Sequence, residues 1–370
     1  MSSILSSWLP FLSRPRGQEG QTPKAETTGT ERGLGDNVSF PPGDPRNEYG
    51  NVPPPRDVPY PTENEAFSTV SVDRKHSLVA ASIRGFDHRY ESSVGFRDDS
   101  FRIGCVNDWI IVAVSDGAGS CRFARKGADI LCATFLSELT KKFSSAETLR
   151  TLKRLRKQSF DDYCEQLRRL LCKVLYHGRL AIEDESKNFN ENRPAGESQS
   201  SPKDFGATFL GYVAHREKGR KWMFVSIGVG DGAMAVAEPN GTIHRLNEPD
   251  EGEFDGETLF VTADGIQWNE WDFWKPRTKA VVVDSFDYAL CMTDGVSNPL
   301  FETDAGLADS ARWKRAFESL SDPDKLDSPC PVPPVALLPG NASAGKQLAR
   351  WLEFWINPSY ADDRTLVVFH

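Results

Sequence analysis

The sequence predicts an α+β domain: a β-sandwich of two antiparallel sheets flanked by helices. Apolar runs of strand length, such as WIIVAVS at 109–115 and YALCM at 288–292, show no polar alternation, the mark of strands covered on both faces. Strands come in clusters separated by pairs of helical stretches, and this order favours antiparallel sheets over a parallel βα alternation. With 39% apolar residues in 370, the chain can form one domain of about 250–300 residues and still carry a tail.

Residues 14–65 contain PPGDP and VPPPRDVP, and no apolar period survives there. Such a segment buries too little surface to offset the entropy of ordering. The expected organisation is therefore a weakly ordered tail over 1–66 and a folded domain over 67–370. Strands are predicted at 77–83, 100–105 and 109–115. Helices follow at about 122–143 and 161–184, the second with Tyr163, Leu167, Leu170, Leu171, Val174 and Leu175 at helical spacing. The polar stretch SKNFNENRPAGESQSSPKD reads as a loop. Further strands are predicted at 206–214, 221–227, 233–237, 242–246, 280–283 and 288–292, helices at 309–320 and 345–355, and a closing strand at 364–369.

A formal charge of −9 argues against a nucleic-acid partner, whose affinity is built from Lys and Arg neutralising phosphates. The seven cysteines are scattered without a CxxC pair, so neither a zinc site nor a disulfide framework is expected and a reducing cytoplasm fits. The opening MSSILSSWLPFLS lacks a basic n-region and is interrupted by Pro10. It is too short to span a bilayer, and no stable membrane insertion is expected.

The chemistry lies in the acids at the ends of these strands. The run 110–114 delivers Asp116 and Gly117 in VSDGAGS, and 288–292 delivers Asp294 in MTDG. Asp362 and Asp363 directly precede the last strand, Asp231 sits in the GVGDG turn, and Asp98 and Asp99 precede the strand at 100. One Asp-Gly between strands is usually a turn device. Five acidic strand ends that converge would repel one another, and hard divalent cations with oxygen ligands relieve that repulsion.

The ordered series Gly85, His88, RDDS at 97–100, VSDGAG, GATFLGY, VGDG, MTDG and DDRT resembles the PP2C (PPM) family of metal-dependent serine/threonine protein phosphatases over about residues 70–370. The resemblance implies two Mn²⁺ or Mg²⁺ ions, with room in the family for a third. It implies that Asp116 bridges two ions with the carbonyl of Gly117, that Asp294 and Asp362 join Asp116 on the first, and that Asp231 serves the third. Asp99 is expected to orient metal-bound water. The expected reaction is hydrolysis of phosphoserine or phosphothreonine by a metal-activated water, without a covalent intermediate. The implied partners are phosphoproteins, targets of a Ser/Thr kinase, met by a cytoplasmic monomer.

Two departures qualify the pattern. Ala118 stands where eukaryotic members carry a histidine able to act as general acid, so His88 is the substitute candidate, and the plain DGAGS loop is bacterial in style. The phosphate-contacting arginine is expected to be Arg97 first and Arg84 second. Arg122, Arg125 and Lys126 open a helix, either as a solvated face or as an attraction for phosphoproteins. Asp264 in TADG reads as a turn, and Trp268, Trp271 and Trp274 as packing residues. The alternatives are a phosphoprotein-binding pseudophosphatase and a phosphatase of small esters.

Overall fold

The computed structural model describes residues 53–90, 95–217, 221–250, 258–326, 328, 331–355 and 361–370. Residues 1–52 of the expected tail, and Cys330, lie outside the described residues.

Among the described residues, eleven strands form two sheets. They are β1 Glu65–Ser71, β2 Ser77–Ile83, β3 Ser100–Val106, β4 Trp109–Ser115, β5 Phe209–Arg216 and β6 Trp222–Val229, followed by β7 Ala233–Ala237, β8 Ile243–Arg245, β9 Thr278–Val283, β10 Tyr288–Met292 and β11 Arg364–Phe369. One sheet runs β1-β2-β11-β10-β7-β8 and the other β3-β4-β5-β6-β9, with antiparallel pairing throughout.

The apolar runs follow from three stacked cores. In β4, Ile110, Val112 and Val114 point between the sheets, while Trp109, Ile111 and Ala113 face the helices outside. In β2, Leu78 and Ala80 face the other sheet, and Val79, Ala81 and Ile83 face the opposite helical layer. Strands covered on both sides have no polar face to alternate with.

Helix α1, Phe86–Tyr90, follows β2. On the outer face of the five-stranded sheet lie α2 (Ala124–Ser144), α3 (Ala146–Gln158) and α4 (Phe160–Glu191). Two serines divide this layer: Ser145 Oγ accepts from Thr148 N at 3.4 Å and Ser159 Oγ from Asp162 N at 3.1 Å, so each starts a new helix. Helix α3 escapes the sequence reading because its three leucines are spread among cations. The loop predicted from residue 186 is helical as far as Glu191, because Ser186 and Phe189 continue the buried stripe of α4. The short α5, Trp271–Trp274, closes this layer, and Trp268 and Trp274 meet at 4.9 Å between centroids. Trp268 and Trp271 pack against the same core that buries Trp274, in agreement with the packing expectation.

The six-stranded sheet is covered by α6 (Asp294–Phe301), α7 (Asp304–Ala308), α8 (Ser310–Ser321) and α9 (Ala344–Phe354). Residues ahead of β1 also join the fold. The Tyr60 ring packs on Phe123, Phe189 and Phe205, and its hydroxyl donates to Glu185 at 2.8 Å. Each fully buried aliphatic or aromatic side chain contributes roughly 1.5–3 kcal/mol. That reserve offsets the charge repulsion concentrated at one end of the sandwich. No helix among the described residues is long and apolar enough to cross a membrane.

Candidate metal centre

Strand register brings the acids together. β3 pairs with β4 so that Ser100 faces Ser115, and the preceding Asp99 and following Asp116 therefore share one end of their sheet. In the other sheet Met292 of β10 faces both Ala233 of β7 and Leu366 of β11. Asp294 after β10, Asp231 before β7 and Asp362 before β11 consequently meet at the same end. The turn holding Asp231 requires glycine on both sides, since Gly230 has φ 94° and Gly232 φ 86°.

Asp116 is fixed by its backbone: its N–H donates to Thr208 Oγ1 at 3.0 Å and its carbonyl accepts from Thr208 N at 2.8 Å. Burial pushes its carboxyl well above the usual carboxylate range, and Asp99, Asp294, Asp362 and Asp231 add to the shift by charge repulsion. Asp294 is pushed up to about 7 by burial and then by Asp231 and Asp362. Burial also raises Asp231, opposed by the hydrogen bond from Thr258 Oγ1 at 2.8 Å. Asp362 stands at the exposed rim. Its carboxyl is raised by partial desolvation and by Asp363, and its Oδ1 accepts from Asp363 N at 2.7 Å.

Asp99 is 3% exposed and its Oδ2 accepts from Thr293 Oγ1 at 2.8 Å and Thr365 Oγ1 at 2.7 Å. Its other oxygen, and Oδ1 of Asp231, are buried without a hydrogen-bond partner. A buried anionic oxygen without a partner is costly. Two such atoms in a cluster of mutually repelling carboxylates form an all-oxygen donor set that fits hard divalent cations.

Behind this cluster sits a support that the sequence reading did not assign. Asp363, 3% exposed, accepts from Gly85 N at 2.5 Å and from Asp98 N, and faces His88 Nδ1 at 3.1 Å. Ligand atoms of His88, Asp98 and Asp363 lie within 4.8 Å of one another. The His88 imidazole is raised to about 9, first by its hydrogen bond with Asp363. Burial and then Asp363 push Asp98 up to about 6. The available signal was the doubled acid in both RDDS and DDRT: one member of each pair faces the cluster and the other braces it.

The arginines expected at a phosphate are directed inward. Arg97 donates from Nε to Glu63 O at 3.2 Å and from Nη1 to Ser82 Oγ at 3.0 Å and Asp99 O at 2.5 Å. Arg84, 1% exposed, donates to Asn64 Oδ1 at 3.2 Å and to the carbonyl of His88. A guanidinium fixed on carbonyls orders the backbone and leaves few donors for an anion. Arg125 is likewise buried, donating to Tyr60 O at 2.5 Å and Pro59 O at 2.7 Å over the Phe96 ring, and Arg122 pairs with Glu197. Neither belongs to a solvated helix face. Asp264 pairs with Lys203 at 2.6 Å in an exposed turn, as expected.

The sequence profile described as Protein phosphatase 2C matches residues 84–353. No curated protein sequence matches the chain. Among solved structures, a phosphatase from Toxoplasma gondii is 11% identical, covering 82% of this chain and 95% of its own, with a TM-score of 0.46. The PPM Ser-Thr phosphatase MsPP from Mycobacterium smegmatis is 13% identical over 79% of this chain and 97% of its own, with a TM-score of 0.39. PppA of Pseudomonas aeruginosa is 13% identical over 82% of this chain and 99% of its own, with a TM-score of 0.40. The profile spans well over half of the chain and includes the turns that carry Asp99, Asp116, Asp231 and Asp294, so the chain belongs to the Protein phosphatase 2C family.

Proposed function

We propose that the protein hydrolyses phosphoserine and phosphothreonine in other proteins with two Mn²⁺ or Mg²⁺ ions, and with a third at Asp231. The observation that carries this reading is the pair of buried carboxylate oxygens without partners, on Asp99 and Asp231, beside Asp116, Asp294 and Asp362. Asp116, with the Gly117 carbonyl, Asp294 and Asp362 would hold the first two ions. When bound, such ions lower the pKa of water and polarise phosphoryl oxygens.

The chain's own residues then divide the remaining work. Asp99 presents its unpartnered Oδ1 to the centre while Thr293 and Thr365 fix the other oxygen. Arg97, tied to the Asp99 carbonyl, holds the RDDS turn in place. His88, held at Nδ1 by Asp363, would carry the proton for the leaving oxygen at Nε2, in the role that Ala118 cannot fill. Cytoplasmic phosphoproteins modified by a Ser/Thr kinase are the substrates this reading implies, with a monomeric enzyme.

Turnover of a phosphothreonine peptide and of p-nitrophenyl phosphate, measured with Mn²⁺, with EDTA and in Asp116→Asn, tests the proposal. Metal-dependent turnover of the peptide that is lost in the variant supports it. Hydrolysis of small esters alone would favour a small-ester phosphatase, and unchanged activity in Asp116→Asn would remove the assignment.

A further inference from the structure

Helix α3 presents Arg150, Lys153, Arg154 and Lys157 on one face. Their i, i+3, i+4, i+7 spacing places them in a single stripe. All four are exposed, whereas Leu149, Leu152 and Leu155 on the opposite face pack into the core shared with α2 and α4. Among the described residues none of the four reaches a carboxylate, and Arg150 donates only to Ala146 O of its own helix, at 3.1 Å. Neighbouring cations behave differently: Lys141 pairs with Glu138 and Arg156 with Glu217. Like charges at these spacings repel and disfavour the helix. Among the described residues of a chain of net charge −9, nothing therefore neutralises this concentrated cationic stripe.

We infer that this stripe docks an acidic segment of a partner protein, one with several Asp or Glu residues that match the cations along about 10 Å of helix. Charge complementarity selects this occupant. The apolar face of α3 is consumed by the core, leaving nothing to insert into a bilayer. So short a stripe on an acidic protein is also poorly suited to a phosphate backbone. The 21 residues of α2 separate α3 from the DGAGS loop, a distance of about 30 Å along the helix. The stripe is thus a docking surface remote from the acidic centre, and its existence does not depend on the reaction proposed there. Exposed ion pairs are individually weak, so docking is sensitive to salt and gains most when the same partner is held at a second point.

Fluorescence anisotropy of a fluorescein-labelled Glu-rich peptide with the full chain tests the inference. The combined variant Arg150→Gln, Lys153→Gln, Arg154→Gln and Lys157→Gln is expected to weaken binding by about tenfold or more. Raised salt should weaken binding to the unmodified protein, and the charge-retaining pair Arg150→Lys and Arg154→Lys should keep it, with neither variant unfolding at a lower midpoint than the unmodified protein. The inference is overturned if the unmodified protein does not bind the peptide, if the Gln variant binds equally well, or if the stripe binds phosphatidylserine vesicles or duplex DNA more tightly than the peptide.

Discussion

Asp363 and His88, 275 positions apart in the chain, face each other at 3.1 Å between Oδ1 and Nδ1. The contact joins α1, which follows β2, to the turn before β11, immediately behind Asp362. Because Asp363 also accepts from Gly85 N and Asp98 N, one buried carboxylate aligns three chain segments that border the acidic cluster.

This pair gives the fold a pH dependence. The His88 pKa is raised from its ordinary 6.5 to about 9, so its stabilisation is complete below pH 6.5 and is lost as pH rises through about 9. The ceiling is roughly 3 kcal/mol, reduced by solvent at the partly open imidazole. Urea unfolding across this range should show stability falling with pH, with a flatter profile in His88→Gln. Identical slopes for the two proteins would contradict the assignment.

Gly85 lets the Asp362–Asp363 segment approach. A Cβ at that position would lie 2.4 Å from the carbonyl carbon of Asp362 and 2.7 Å from Asp363 N. Backbone atoms cannot yield as a flexible side chain does, so Gly85→Ala should cost about 2 kcal/mol or more and weaken Mn²⁺ binding as well. Calorimetric titration and thermal unfolding of the same sample read both effects.

Cation binding should stabilise the protein by relieving repulsion around Asp116. At about one hundred times the dissociation constant, Mn²⁺ is expected to add roughly 2.7 kcal/mol, and EDTA to remove it. Asp116→Asn removes one acid from the repelling cluster and one proposed ligand. It should therefore be no less stable than the unmodified protein in EDTA, yet gain little from Mn²⁺. A full metal-induced shift in the variant would exclude Asp116 as a ligand.

Tyr60 should count as part of the core. Truncation in Tyr60→Ala removes its contacts with Phe123, Phe189 and Phe205 and its hydrogen bond to Glu185, at an expected cost of about 3 kcal/mol. Tyr60→Phe should lose only the smaller hydrogen-bond share, about 1 kcal/mol. Chemical denaturation of both variants separates the two contributions.

Several features were legible in the sequence because they are local. Unbroken apolar runs such as 109–115 and 288–292 record burial on two faces, and the boundaries of β2, β4, β7, β10 and β11 coincide with those read from the chain. The acidic turns were legible too, since each stands directly at a strand end. Helix α3 was missed because Leu149, Leu152 and Leu155 cover a single short face among charges, and β1 because Glu65–Ser71 is half-buried and polar.

The sequence by itself therefore determined the sandwich and the positions of Asp99, Asp116, Asp231, Asp294 and Asp362 along it. Only the tertiary structure decided which of these acids share an end, that Asp363 and Asp98 brace them from behind, and that Arg84, Arg97 and Arg125 turn inward. The physical reason is range: burial and turn chemistry act between near neighbours in the chain. The direction of a carboxylate or guanidinium is set instead by partners such as Thr365 for Asp99 or Pro59 for Arg125, which only the register of paired strands and the packing of helices bring within reach.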